Sequence, residues 1–422
     1  LAVRPDHRKR QEALVVALLL VGYAGYYACR ANLSVGRTSI IDEYASLGFT
    51  KETIGSITSV GTLFYAVGKF FGGSLADVFG GKRMFLAGMG GAVLFTILFA
   101  LGGPAVFMLA WSGNRFVQSW GWGGMVRTVG QWFDAKRYGA VMGVVSLSYL
   151  FGDFLSKFVM GLLLNLGWDW RGLFYAGAGF LGLMFLATLA LLRPTPADFG
   201  LPEPEAHPAV LVDPGAKAAS WRERLAPLLR SPAFLVVCLL SFGFTLMRET
   251  FNEWTPTYFE EFAGLAKGDA GMAASLFPLI GGLSVLIVGW WSDRMGRGGR
   301  ALLIGAGLVV SSLLLVALQG IPVGSPALTA VVLVGAIAFV LIGPYSLLAG
   351  AIALDFGGPE AGSTASGWVD GVGYVGGIMS GYGVARLAQQ SGWASAWTTL
   401  AVVAALSAVA ALGYWRLERR TA

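Results

Sequence analysis

Nine ionisable side chains stand inside apolar runs of this chain: Arg30, Lys69, Arg115, Lys157 and Arg248, and against them Asp153, Glu249, Glu253 and Asp370. A charge at a bilayer centre costs about 2.5–3.5 kcal/mol on insertion scales, so each of these is a functional candidate by default. Arg30 and Arg248 are the best ligands among them. A guanidinium does not shed its charge, and its planar fork matches two oxygens of a phosphate or carboxylate. The two arginines lie 218 positions apart, near the middle of the first and seventh apolar runs. Neither has an acid three or four residues away, where side chains on one helix meet. Glu249 is about 100° and Glu253 about 140° around the helix from Arg248. Arg30 shares its face with Tyr23, Tyr26, Tyr27 and Ser34, and Arg248 shares its face with Ser241, Thr245, Asn252 and Thr255. Such polar stripes suit a watery cavity. The competing reading is that each arginine pairs with an acid on a neighbouring helix for stability alone.

The other charges divide between ligand and structural roles. Lys69, with Tyr65 and Thr62 on its face, reaches the same cavity as a third cation or snorkels to the membrane surface. Asp153 and Lys157 are spaced four apart in the favourable acid-first order, so they neutralise each other, or else bind the substrate directly or serve in coupling or gating. Arg115, among Trp111, Gln118 and Trp122, is either half of an ion pair, with Asp153 as a partner, or a gating residue. Asp370 shares a face with Ser366, Tyr374 and Gly377 and neutralises a cavity base. Cys29 adjoins Arg30, about 100° around the helix, so a thiol reagent there reports on the cavity if that flank is open.

These residues need membrane-spanning helices to hold them. Of the 422 residues 55% are hydrophobic and only 13% charged, about half the charged share of a soluble domain, and the mean hydropathy is +0.66. A span needs roughly 20 apolar residues. The apolar runs predict twelve, near 13–40, 54–76, 84–102, 105–128, 140–163, 172–192, 233–259, 270–291, 301–320, 327–350, 363–386 and 393–415. Lys and Arg collect at every second connection (Arg8 to Arg10; Lys82 and Arg83; Lys136 and Arg137; Arg193 to Arg230; Arg294 to Arg300; Arg416 to Arg420), which places both termini in the cytoplasm. The run from Ala13 is too long for a signal peptide core. Residues 193–231, with seven prolines, form a linker between an N-terminal half, 1–192, and a C-terminal half, 232–422. The linker's end, from Trp221 to Arg230, reads as a short interfacial helix or as a solvated loop. The net charge of +6 is topological, and no soluble domain remains for an enzyme or a nucleic-acid binder. No P-loop is present, the cysteines Cys29 and Cys238 have no metal spacing, and no cofactor or metal is expected.

An internal repeat carries a resemblance. Gly73-Ser-Leu-Ala-Asp77, followed by Gly80, Lys82 and Arg83, recurs as Gly289-Trp-Trp-Ser-Asp293, followed by Gly296 and Arg297, at an offset of 216 residues. The small residue permits close helix approach, and the acid accepts from helix N-terminal amides and nearby bases. The pattern resembles the loop signature of the major facilitator superfamily, which implies an all-α membrane fold of two pseudo-symmetric six-helix bundles around a central cavity. Asp77, Arg83, Asp293 and Arg297 are then structural loop residues.

Gly22-Tyr23-Ala24-Gly25-Tyr26-Tyr27-Ala28-Cys29-Arg30-Ala31-Asn32 resembles the first helix of the organophosphate:inorganic phosphate antiporters, which include glycerol-3-phosphate and hexose-phosphate transporters. Tyr65-Ala-Val-Gly-Lys69-Phe70, Arg248 through Tyr258 and Gly371 through Gly377 match elsewhere. The resemblance implies a secondary transporter that exchanges a small phosphorylated organic anion for inorganic phosphate by rocking of its halves. Arg30 and Arg248 grip the phosphoryl group and Lys69 assists, with Tyr23, Tyr27, Asn252 and Tyr374 as further binding residues. Tyr149 stands where the family commonly has a cavity histidine; His7 and His207 lie outside the predicted spans. Ala31 replaces a frequent base, and Pro278 lies near a missing acid. These departures count against histidine-based coupling and admit a substrate that also carries a positive group. Two alternatives remain. One is a proton- or ion-coupled symporter of organic carboxylates, with Asp153, Glu249 and Glu253 as coupling acids; the other is an anion sensor that does not transport. The expected partners are a small anion, inorganic phosphate and the lipid bilayer, with no nucleic acid; a monomer in a bacterial inner membrane is expected.

Overall fold

The computed structural model describes residues 5–202, 221–322 and 324–421. His207 and the middle of the expected linker lie outside them, as do the side chains of His7, Asp77, Lys136, Asp293 and Arg297. All regular structure among the described residues is helical: α1 (Pro5–Glu43), α2 (Lys51–Phe79), α3 (Gly81–Leu101), α4 (Pro104–Trp132), α5 (Ala135–Asn165), α6 (Trp170–Leu191), α7 (Trp221–Arg230), α8 (Pro232–Glu261), α9 (Lys267–Ala274), α10 (Leu276–Gln319), α11 (Ala327–Leu347) and α12 (Ala353–Thr421). The segment from Trp221 to Arg230 is thus a helix, settling one choice that the sequence left open.

Nine helices among the described residues are long and apolar enough to cross a membrane. The twelve expected spans map onto them in two ways. First, α2 and α4 have spanning length, 29 residues each, but polar and charged residues such as Lys69, Asn114, Arg115 and Gln118 dilute their hydropathy. Second, the last candidate, Ala365–Arg419, runs 55 residues, about 80 Å of helix against a hydrocarbon core of about 30 Å. It contains two spans, and Gly392 separates them at φ +78°, a left-handed conformation that glycine adopts without a Cβ penalty. Gly80, at φ +88°, turns the chain between α2 and α3 in the same way. Polar caps set other boundaries. Asp169 Oδ1 accepts from Gly172 N at 2.8 Å to start α6, and Ser231 precedes Pro232 at the start of α8.

The chain divides into two compact units, one drawn from residues 1–40 and 60–210, the other from 41–59 and 211–422. In the first, Tyr26, Cys29, Phe85, Met89, Met125 and Trp132 are buried in one cluster that joins α1, α3 and α4. Phe99 stacks on Phe107 and Phe174 at 4.2 and 4.7 Å between centroids, which fastens α3, α4 and α6. In the second, Phe251 of α8 stacks between Phe277 of α10 and Trp397 of α12, both at 5.2 Å.

Residues 41–59, the end of α1 and the start of α2, are held in the second unit by a clasp of polar contacts. Lys267 Nζ meets Asp42 Oδ2 at 2.6 Å, and Lys51 Nζ meets Glu261 Oε2 at 2.7 Å. Gln390 Nε2 donates to Glu52 Oε1 at 2.9 Å. Ser59 Oγ donates to the Ile378 carbonyl and accepts from Tyr382 N. Gly55 makes the clasp close, because a Cβ there would strike Ala385 and the Gly381 carbonyl. The predicted halves carried no sign of this allegiance.

Candidate functional site

In the first unit the site is built on α1, whose i, i+4, i+7 spacing puts Tyr23, Tyr27 and Arg30 on one face. Cys29, next in sequence, is fully buried in the core, and Arg30, about 100° further around the helix, is half-buried. Arg30 Nε donates to Gln118 Oε1 of α4 at 3.2 Å and Nη1 to the Tyr27 hydroxyl at 3.4 Å. Gln118 is itself oriented, since its Nε2 donates to Asn114 Oδ1 and to the Cys29 carbonyl. Its acceptor is thereby left for the arginine.

Tyr65 of α2 is the hub of this unit. The guanidinium carbons of Arg30 and Arg115 each lie 4.8 Å from its ring centroid, and Lys69 Nζ lies at 5.6 Å. Cations over an aromatic face gain about 0.5–2 kcal/mol each, most when desolvated. Three helices therefore bring three positive charges to one phenol. Gly61, one turn before Tyr65, permits it: a Cβ there would collide with Trp111 and crowd the Arg115 stem. Pairing of Arg115 with Asp153, one of the two readings left open for it, gives way to a different arrangement. Asp153 Oδ2 is engaged by Lys157 Nζ at 2.9 Å, within α5, while Arg115 lies over Tyr65. Tyr23 packs edge-on to Trp122 at 5.6 Å, and Tyr149 is half-buried against the same core.

In the second unit Arg248 lies 4.8 Å from the ring of Tyr345 on α11. Its Nη2 donates to Glu249 Oε1 at 2.5 Å, which corrects the expectation that an acid 100° around the helix is out of reach; the long arginine stem spans that arc. Asn252, Asp370 and Tyr374 are half-buried and Glu253 is buried. The polar stripe expected to be wet is largely dry. Ser241, Thr245 and Thr255 are at most 2% exposed. Thr255 donates to the Phe251 carbonyl, and Gly373 of α12 packs so closely that a Cβ would strike the hydroxyls of Ser241 and Thr245. The same holds for Tyr26 and Ser34 in α1, both buried. Of the loop residues, Arg83 is exposed.

Three residues escaped the sequence reading as site elements: Tyr65 as a shared ring, Tyr345, and Arg37, which is fully buried two turns beyond Arg30 on the same face of α1. Arg37 was legible in principle. Ending the helix at 40 put it near a boundary, whereas α1 continues to Glu43.

Residues 19–381 match the profile of the Major Facilitator Superfamily. The chain belongs to this superfamily. It is thus a multi-pass membrane transporter by family and not an enzyme. It is 26% identical to a probable hexose phosphate transport protein of Chlamydia trachomatis over 96% of this chain and 91% of the relative. It is 25% identical to the glycerol-3-phosphate transporter of Bacillus subtilis over 87% and 84%. The nucleoside transporter NupG shares the fold at a TM-score of 0.74 and 15% identity, over 95% of this chain and 99% of that one. As a facilitator-superfamily protein its intramembrane cations are candidates for substrate contact, and its glycines serve helix packing.

The buried thiols give a first expected outcome. Cys29 is fully buried and Cys238 is 5% exposed, so neither reacts with a hydrophilic thiol reagent in the folded protein. The flank of α1 that carries Cys29 is thus closed, and the thiol belongs to the packing. Titration with a chromogenic disulfide before and after denaturation checks it: two thiols appear only on unfolding, and prompt labelling of Cys29 would place an aqueous path along the wrong flank of α1.

Proposed function

We propose that this transporter carries a small phosphorylated organic anion and exchanges it for inorganic phosphate by alternating access. The observation that carries the reading is the convergence of Arg30, Arg115 and Lys69 on Tyr65, with the half-buried Arg30 fork oriented by Gln118 and Tyr27. A second guanidinium, Arg248, has a matching tyrosine at the same distance in the second unit. Forks of this kind suit phosphoryl oxygens. Tyr27, Tyr149, Asn252 and Tyr374 line the binding faces in this reading, with Tyr23 buried behind Tyr27, and Asp153, Lys157, Glu253, Arg115 and Asp370 tune or gate them. The names of the relatives support a phosphorylated substrate. The basic connections support both termini on the cytoplasmic side; a bacterial inner membrane and a monomer are further parts of the proposal.

Counterflow in proteoliposomes tests the proposal: vesicles loaded with phosphate take up external organophosphates, such as glycerol-3-phosphate or glucose-6-phosphate, and lose phosphate in return. Exchange proceeds without an imposed pH gradient, because arginine does not titrate and no histidine lies in the predicted spans to switch near neutral pH. Uphill accumulation that needs the gradient and vanishes in Glu253→Gln would make the protein a symporter. Binding without flux would make it a sensor.

A further inference from the structure

A crevice of about 360 Å³ lies within the first unit between α1, α5 and α6. None of the residues lining it is charged, so it is no place for the anion. Its floor is made of small residues. Gly152 of α5 sits so close to Ala24 that a Cβ would touch the α1 backbone, and Gly177 of α6 is pressed on the Ala28 carbonyl. These close contacts fasten α1 to α5 and to α6. The lining runs from Ser148 to Leu163 on α5, about 22 Å, and from Leu20 to Ala28 on α1, about 12 Å. The space is therefore elongated along the helices. Of its two serines, Ser148 turns its hydroxyl to the Val145 carbonyl.

The mouth carries Val21, Phe151, Leu155, Val159 and Phe180, each 37–54% exposed. In a span of a multi-pass membrane protein, large exposed apolar side chains face hydrocarbon. The mouth is continuous with further bilayer-facing residues on the same helices: Leu162 follows Val159 on α5, and Leu183 follows Phe180 on α6, each exposed and three residues on. An unfilled slot in that belt forfeits dispersion contacts on all its walls, and an apolar cavity stays dry. We propose that the crevice is a defined seat for one acyl chain of a membrane lipid, inserted between α1, α5 and α6. Gly152 and Ser156 line the seat, and Asp153 and Lys157 each follow one of them. An inserted chain therefore braces the helix that carries the buried ion pair.

The test uses the full chain in proteoliposomes containing phosphatidylethanolamine with a photoreactive diazirine in mid-chain. After irradiation, cross-links are mapped by peptide mass spectrometry. They concentrate on the segments around Ala24, Ser156 and Gly177 relative to the belt around Leu183 and Leu186. Two variants fill the seat, Ala176→Phe and Ser156→Leu; in each, the crevice cross-links are lost while those of the belt persist, with monodispersity and melting temperature in detergent as the check on folding. If one variant does not fold, the other and the wild-type map still decide. Even labelling along the belt, or crevice labelling that survives both variants, would overturn the proposal in favour of ordinary annular lipid.

Discussion

Arg30→Lys and Arg248→Lys each reduce phosphate exchange by about a hundredfold or more while leaving monodisperse protein. Lysine keeps the charge but replaces a planar fork with a point donor. A hydrogen bond to a charged group is worth about 1.5–3 kcal/mol, and losing the second arm of a bidentate grip reaches about 3 kcal/mol, or two orders of magnitude. In the first unit the change also removes a planar cation from both Tyr27 and Tyr65, which lie 4.7 and 4.8 Å from its carbon. Lys69→Gln, whose ammonium lies farther from that ring at 5.6 Å, costs less. Exchange and substrate binding are measured in parallel on each variant. Near-normal exchange in both lysine variants would remove the arginines from the site and leave the cation cluster a structural feature. Loss in Arg248→Lys alone would shift the binding role to the second unit, with Glu249 as the group that orients it.

Asp153→Asn and Lys157→Met each destabilise the protein strongly, and the double substitution does so far less. The two side chains are 10% and 2% exposed and 2.9 Å apart. Removing one partner strands a charge in a low-dielectric setting, at about 3–5 kcal/mol, whereas replacing both is often close to neutral. The readouts are melting temperature in detergent and exchange in proteoliposomes, combined in a double-mutant cycle. A large coupling energy with near-wild-type exchange in the double variant identifies a self-contained brace in α5. Strict additivity, or a double variant that is stable yet inactive, would instead assign Asp153 a part in substrate or proton handling.

The Asp153–Lys157 pair was legible because it is local: two side chains four positions apart on one helix meet whatever else the chain does. Hydropathy is local too, and it sufficed to find spanning helices, the turn at Gly80 and the division of the long terminal run near Gly392. The repeat of Gly73 to Asp77 at Gly289 to Asp293 carried the superfamily. Even Arg30 and Arg248 stood out one at a time, because a charge in an apolar run is conspicuous without knowledge of its neighbours.

What touches those charges was decided by packing. Tyr65 gathers cations from α1, α2 and α4 because Gly61 lets two helices close on each other, and no periodicity within one helix encodes that approach. Ser241 and Thr245 look like a cavity wall on a helical wheel but are covered by α12 at Gly373. Arg248 takes the acid beside it, since side-chain length as well as angular position sets reach. Residues 41–59 continue α1 and α2 in sequence yet are held by Lys267, Glu261 and Gln390, contacts more than two hundred positions away. A sequence specifies which residues are apolar, small or charged along each helix; which faces meet depends on how closely the helices approach one another, and only the folded chain determines that distance.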